Sequence, residues 1–358
     1  MKVLEKVRHA KSAGARMIRR IPAAVLVVSS VMLLVSIVCI ICLVSSRPER
    51  SCAEVWSQGS SVAYRHMAVY GHGGRASGDK SPASVQEYGK CLGKSDVFNV
   101  RKSLQGIVDQ AGGKRRKASD NVTDPEGWED AYCSFAVADI VYDHGDSENS
   151  AEVSVYAVGG NLKAFHPMEY LSGGFLPVKA VDKYQIVLND ELAWKFFGSY
   201  DVVGSRVNLW GHDYAVIGVV KEHDDTQFRA YIYYDCLEEY CAGLEVPVTP
   251  AVLCYEVMLP EIVKGEAVTE LKNSLPSQDF YVESITGRFG FGRVWDHMIP
   301  PGEMSAMLRG YELPYWEVSA QRCISRLFAW EVIGVISLFT VAVITVSLAA
   351  RRKRSRAE

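Results

Sequence analysis

The chain has 358 residues, 48% of them hydrophobic, and carries 39 Lys and Arg against 42 Asp and Glu for a formal net charge of −3. Between Arg47 and Arg326 the balance is 27 basic to 39 acidic residues, about −12, which argues against nucleic acid as a partner and against docking of that stretch on anionic lipid. The apolar residues are concentrated near the two ends of the chain, and that placement decides the class of protein.

The first 20 residues carry seven basic side chains (Lys2, Lys6, Arg8, Lys11, Arg16, Arg19 and Arg20), with Val3, Leu4, Val7, Met17 and Ile18 among them at roughly helical spacing. This reads as a basic amphipathic segment, 1–20, on the cytoplasmic surface of a membrane. Ile21 to Ser46 follows without a charge across 26 residues, which at helical rise is long enough to cross a hydrocarbon core of about 30 Å. A cleaved signal peptide is the competing reading, since Val44-Ser45-Ser46 offers small residues for cleavage, but the apolar run exceeds the usual h-region of about 7–15 residues. A second apolar run, 327–350, is interrupted by Glu331 alone, and five basic residues lie in the eight that follow. Each far flank carries two, Arg47 with Arg50 and Arg322 with Arg326, so the positive-inside rule predicts cytoplasmic termini and an extracytoplasmic domain over 47–326.

Within that domain, alternation predicts a strand over 62–70. A glycine-rich loop follows, then a helix over 84–92, then a polar loop containing the sequon Asn121-Val122-Thr123. Val153, Val155 and Ala157 predict a strand, and 168–171 one helical turn. Tyr184 to Leu188 reads as a short buried strand. Asn189 caps the next helix, with Asp190 and Glu191 in its first turn and Gly198 stopping it. A hairpin is expected over 207–220 around Gly211-His212-Asp213. Strand 253–258, helix 261–274 and strand 280–285 then predict a split β-α-β subdomain, and 313–325 a helix running toward the second span.

Chemistry-bearing motifs are sparse. Gly73–Ser81 and Gly89–Ser95 each miss a phosphate-binding loop by one residue, which misaims the backbone N–H groups and the lysine. Asp143-His144-Gly145-Asp146 and His223-Asp224-Asp225 could each bind a metal adventitiously, but they read better as solvated polar loops. No nucleophile elbow or cysteine-nucleophile signature is present, so a membrane-anchored hydrolase has no positive support. Seven cysteines lie outside the spans, an odd number, and proximity makes Cys236 with Cys241 the first candidate disulfide, with reduced thiols an equal reading. Glu331 reads as a boundary residue, or as a contact to a partner helix.

The segment YQIVLNDELAWKFFGSYDVVGSRVNLWGHDYAVIGVVKE, 184–222, resembles the extracytoplasmic core domain of MacB/FtsX-type ABC transporter permeases. The shared places are the strand 186–188, Phe197-Gly198, Val203-Gly204, the hairpin strand 207–209 and Val216-Ile217-Gly218-Val219-Val220; Phe165-His166-Pro167 and Gly173-Gly174-Phe175 match the approach, so the resemblance covers 151–222. It implies an α+β domain between transmembrane helices in which Gly198, Gly204 and Gly218 have structural roles: helix stop, tight turn and close strand approach. It implies a non-catalytic subunit of a transport or mechanotransmission complex, with no cofactor of its own, ATP being bound by a separate cytoplasmic ABC ATPase. Permeases of that type carry further spans, whereas this sequence ends eight residues past its second, so a second permease chain is the implied partner. A membrane-anchored binding or sensing module is the alternative.

Overall fold

The computed structural model describes residues 2–57, 62–71, 82, 84–85, 91–110, 128–144, 147–222, 227–277, 280–298 and 313–354. The chain divides into two compact units, one comprising Met1–Arg47, Phe289–Ile299 and Ala320–Glu358, the other Pro48–Arg288 and Pro300–Ser319.

The first unit is helical. Helix α1 runs unbroken over Lys2–Ser45, so the basic segment expected as a separate surface helix continues the apolar one. The stretches Ala23–Ser45 and Tyr315–Ala350 are long and apolar enough to cross a membrane. Val27, Val31, Leu34, Val38 and Ile41 are exposed on the first, which water would penalise and lipid would not. Where the two helices of this unit meet, small residues allow the approach. The Ser36 hydroxyl donates to the Trp330 carbonyl at 2.5 Å, and a Cβ added to Gly334 would stand 2.8 Å from Ser36 Oγ, a contact typical of packed membrane helices. Glu331 is 5% exposed, buried within this unit rather than lying open at a boundary. Nearby, Ile40, Leu43 and Val44 pack against Val294, Ala320, Ile324 and Leu327.

The second unit is built on a ten-stranded sheet among the described residues. Its strands are β1 (Ala63–Tyr70), β2 (Glu129–His144), β3 (Ser147–Gly160), β4 (Glu169–Gly173), β5 (Gln185–Asn189), β6 (Arg206–Leu209), β7 (His212–Lys221), β8 (Arg229–Tyr233), β9 (Cys254–Glu261) and β10 (Tyr281–Ser284). They pair in the order β10-β1-β9-β2-β3-β8-β5-β7-β4. Strand β6 also pairs with both β2 and β7, which closes the path β2-β3-β8-β5-β7-β6 into a ring. Such closure leaves those strands without a free edge. At the other end, β9 and β10 both run antiparallel to β1 and hold it between them, with helix α7 (Glu266–Ser274) connecting them. This is the split β-α-β unit expected from the sequence.

The helices of this unit are α2 (Cys52–Ser57), α3 (Lys94–Gln110), α4 (Leu162–Phe165), α5 (Asp190–Phe197) and α6 (Tyr234–Ala242). Asn189 caps α5 as expected, its side chain accepting from the Leu192 N–H at 3.2 Å. The i, i+4 pair Leu192 and Phe196 is buried, at roughly 1.5–3 kcal/mol for each side chain. Strand β3 has a face in each of two cores: Val153, Val155 and Ala157 join one cluster, Tyr156 and Val158 the other.

Some expectations are corrected. Of residues 168–171, Glu169 to Leu171 lie in strand β4, paired to β7, because Tyr170 and Ser172 take ladder partners there; the helical turn falls earlier, in α4. Of the helix expected over 84–92, Val85 is helical, while Ser84 and Leu92 make isolated bridges to Pro250 and Val252. Its remainder, the loop 72–80, the sequon, Gly145, Asp146 and the sequence 223–226 lie outside the described residues.

A further helix in unit one, α8, spans Phe291–Met298, and α9 spans Tyr315–Arg354. Residues 315–319 of α9 belong to the second unit and 320–354 to the first.

Candidate functional site: a buried polar junction

Two segments of the sheet-bearing unit that lie near its chain boundaries, 48–57 and 313–317, are fixed by buried polar groups. Pro314 precedes the helix, fixing φ where no N–H is needed. The three residues after it, Tyr315, Trp316 and Glu317, engage three different parts of the sheet.

Glu317 is 1% exposed, and its carboxylate accepts from Arg288 Nη1 at 2.7 Å and from the Tyr70 hydroxyl at 2.9 Å. Tyr70 ends β1 and stacks on Tyr281 of β10 at 6.0 Å. Arg288 follows β10 after Gly287, whose φ of +77° makes the turn glycine's own. Its Nη2 lies 3.5 Å from Glu49, so one guanidinium ties the start of the unit to its end. Burial opposes the charge on Arg288, and Glu317 foremost, with Glu49, keeps it protonated.

Tyr315 lies under the Arg229 guanidinium, 4.1 Å from ring to carbon. Its hydroxyl meets that of Tyr231 at 2.6 Å, and Tyr231 in turn donates to Glu222 at 2.6 Å. Arg229, 1% exposed, is ion-paired with Glu222, and its backbone N–H donates to the Asn189 side-chain oxygen Oδ1 at 3.1 Å. The capping residue of α5 thus also positions β8.

Trp316 packs on His166 at 4.7 Å and on Tyr156 at 5.4 Å. His166 Nε2 lies 2.6 Å from Glu256, whose other oxygen is 3.3 Å from His66 Nε2. Burial alone would raise the Glu256 carboxyl, but His166 and His66 hold it well below the usual range. Burial lowers the His66 imidazole. Beside this group α2 buries Cys52 and Trp56, and the Cys52 thiol donates to the Phe165 carbonyl at 3.3 Å. Burial first, then Glu49 and Glu256, push that thiol up to about 12.

The motif positions are built locally. Gly198 takes φ +62° and its N–H returns to the Trp194 carbonyl at 2.9 Å, a left-handed helix stop. Gly204, at φ +90°, donates to Val216 at 2.8 Å. At Gly218 a Cβ would stand 2.1 Å from the Gly174 carbonyl, so the backbones touch there and nothing larger fits. Phe197 packs its ring on Tyr142 at 4.3 Å.

Residues 92–253 match the family model of the MacB-like periplasmic core domain. The match spans 162 of the 358 residues, under half of the chain. The match begins 59 residues before the 151–222 resemblance, and it takes in α3, the long β2–β3 hairpin and everything to Leu253. Two solved structures are similar. The periplasmic region of MacB from Actinobacillus actinomycetemcomitans is 14% identical, with 63% of this chain and 90% of that one covered and a TM-score of 0.40. The extracellular domain of the noncanonic ABC-type transporter YknZ from Gram-positive bacteria is 12% identical, with 61% and 99% covered and a TM-score of 0.38. No curated protein matches.

One site expectation on the MacB-like domain is overturned. Cys236 and Cys241 are free, buried thiols of one helix, α6. Five residues along an α-helix set Cα atoms about 8.6 Å apart, beyond the roughly 7 Å a disulfide spans. Cys236 instead donates to the Lys183 carbonyl at 3.2 Å. In the near-miss phosphate loop, Lys94 is taken by Asp235 at 2.8 Å and Glu238 at 2.6 Å. Among the described residues no His, Cys, Asp and Glu group is arranged to hold a metal. The junction residues Glu49, Tyr70, Arg288 and Glu317 carry no sequence motif. The available hint was Glu317 in the first turn of an expected helix beside an apolar run, where a buried charge requires a partner.

Proposed function

We propose that the chain is a permease-like, non-catalytic subunit of an ABC transport or mechanotransmission complex. Both termini are cytoplasmic and the MacB-like domain is outside. A separate cytoplasmic ABC ATPase and a further permease chain are its partners in the membrane. The observation that carries the reading is the triple anchorage of Tyr315-Trp316-Glu317, with Arg288 joining Glu317 to Glu49. A tether to a passive domain needs no such fixing, whereas a domain that is displaced from the membrane side needs its junction segments stiff. Buried, paired charges supply that stiffness because breaking them strands a charge in a low dielectric. The positive-inside distribution supports the orientation.

Copurification of the full chain from membranes in mild detergent tests this. An ATP-binding cassette protein and a longer permease are expected to come down with it; a chain recovered alone contradicts the reading. A second reading, a binding or sensing module, is favoured by a cleft of about 220 Å³ lined by Arg101, Tyr132, Tyr233, Tyr234 and Asp235. Under that reading, substitution of Arg101 abolishes the function while the ATPase association is absent.

A further inference from the structure

We propose that Cys133 and Cys254 are a disulfide site, linking the long MacB-like hairpin to the split β-α-β unit through a cross-strand bond. The proposal rests on the extracytoplasmic reading for the oxidant, and on geometry for the pairing. Strands β2 and β9 are antiparallel neighbours, and their register sets Cys133 directly opposite Cys254. Directly opposed residues have Cα atoms about 4.5–5.5 Å apart and side chains on one face, inside the roughly 4.4–6.8 Å that a disulfide accepts. Both thiols are free and buried in one cluster, 2% and 1% exposed. Burial, and then the Cys133 thiol bonded to it, push the Cys254 thiol up, which places the two sulfurs in each other's company.

The other described cysteines of this unit lack such a partner across a ladder. Cys52 and Cys236 donate to backbone carbonyls, Cys91 lies outside the strands, and Cys241 lies five residues along the same helix from Cys236, too far for bonding. A small cavity of about 50 Å³, lined by Cys133, Phe135, Tyr156, Leu253, Leu313 and Pro314, reaches the pair from the Cys133 side.

The oxidant is a small-molecule or protein disulfide of the kind found outside the cytoplasm. Cys133 loses its proton and attacks one sulfur of the oxidant, expelling the other as a thiol. Cys254 loses its proton and attacks Cys133 Sγ of the mixed disulfide, expelling the second thiol. Two protons and two electrons pass to the oxidant, which leaves as two thiols. The new bond closes the chain between residues 133 and 254, a long loop of the kind whose cross-linking most restricts the unfolded state.

The test uses the full chain purified in detergent. It is equilibrated with oxidised glutathione, trapped with N-ethylmaleimide, digested without reduction and read by mass spectrometry. A linked peptide pair containing Cys133 and Cys254 is expected, with the unfolding midpoint raised by more than about 5 °C over the reduced chain. The Cys133→Ser/Cys254→Ser chain should melt with the reduced protein and ignore the oxidant. Full alkylation of both cysteines after oxidation, or linkage of either to another cysteine, overturns the proposal. Sidedness is read separately, by labelling an Asp201→Cys chain in intact cells with a membrane-impermeant maleimide. Labelled Asp201→Cys with Cys133 and Cys254 alkylated overturns the disulfide and leaves the orientation standing. Linkage in detergent with Asp201→Cys unlabelled supports the pairing and removes the orientation instead.

Discussion

Replacing Arg288 with Met removes the guanidinium that bonds the buried Glu317 carboxylate at 2.7 Å, while the Tyr70 hydroxyl still donates to it. Arg288 is 4% exposed and the Glu317 side chain 2%, so solvent screening is slight. Removing one member of such a pair costs about 3–5 kcal/mol. For a unit of this size each kcal/mol moves the midpoint by about 2–4 °C, so a fall near 10 °C is expected for the full chain in detergent, followed by intrinsic fluorescence. Adding Glu317→Gln removes the stranded charge while retaining an acceptor for Tyr70, and should restore more than half of the loss. The resulting cycle gives a coupling of about 2 kcal/mol or more. A single-variant shift under about 2 °C, or simple additivity in the double variant, refutes the claim that this guanidinium holds the junction.

The His66–Glu256–His166 group predicts acid sensitivity. His66 has its folded pKa lowered beneath the ordinary 6.5, so the unfolded chain takes that proton first and stability falls as pH drops below 6.5. Glu256 is depressed, so its contribution is full above 4.5 and is lost as pH falls toward its folded value. The midpoint should be flat above pH 7 and decline below, and His66→Phe should flatten the decline between about pH 6.5 and 5; an unchanged slope there contradicts the assignment. Gly218→Ala drives a methyl into the Gly174 carbonyl and should cost about 1–3 kcal/mol, against about 1–2 kcal/mol for Gly198→Ala, whose left-handed backbone is strained in otherwise open space; denaturant midpoints rank them. Tyr315→Phe loses the hydroxyl shared with Tyr231 and should cost about 1 kcal/mol with no change in secondary structure by circular dichroism.

Much of this was legible in the sequence where one local rule decides. Asn189 with Asp190 and Glu191 announces a helix start, Phe197-Gly198 its stop, and the apolar runs announce themselves by length. The β-α-β order at 254–284 was readable because strand and helix periods alternate cleanly there. Helix α3 was missed although Val97, Val100, Leu104 and Val108 are buried at helical spacing, because the exposed Phe98 and the many polar residues around them blur that stripe. The full length of β2 and β3 was hidden because both faces are covered in part, so buried residues run together instead of alternating. The junction could not be read at all. Glu49, Tyr70, Arg288 and Glu317 come from four segments, and no spacing rule joins residues whose proximity depends on strand order. The cysteines make the same point, since nearness in sequence suggested 236 with 241 whereas the β2–β9 register opposes 133 and 254.

The most direct test of the proposed relay through this junction is hydrogen exchange on the chain copurified with the proposed ATPase partner, with and without ATP and vanadate. The account predicts a nucleotide-dependent change in protection at β1, β10 and 313–317 that is abolished by Arg288→Met while the complex stays intact. Identical exchange in both nucleotide states, in a complex that hydrolyses ATP, would contradict it.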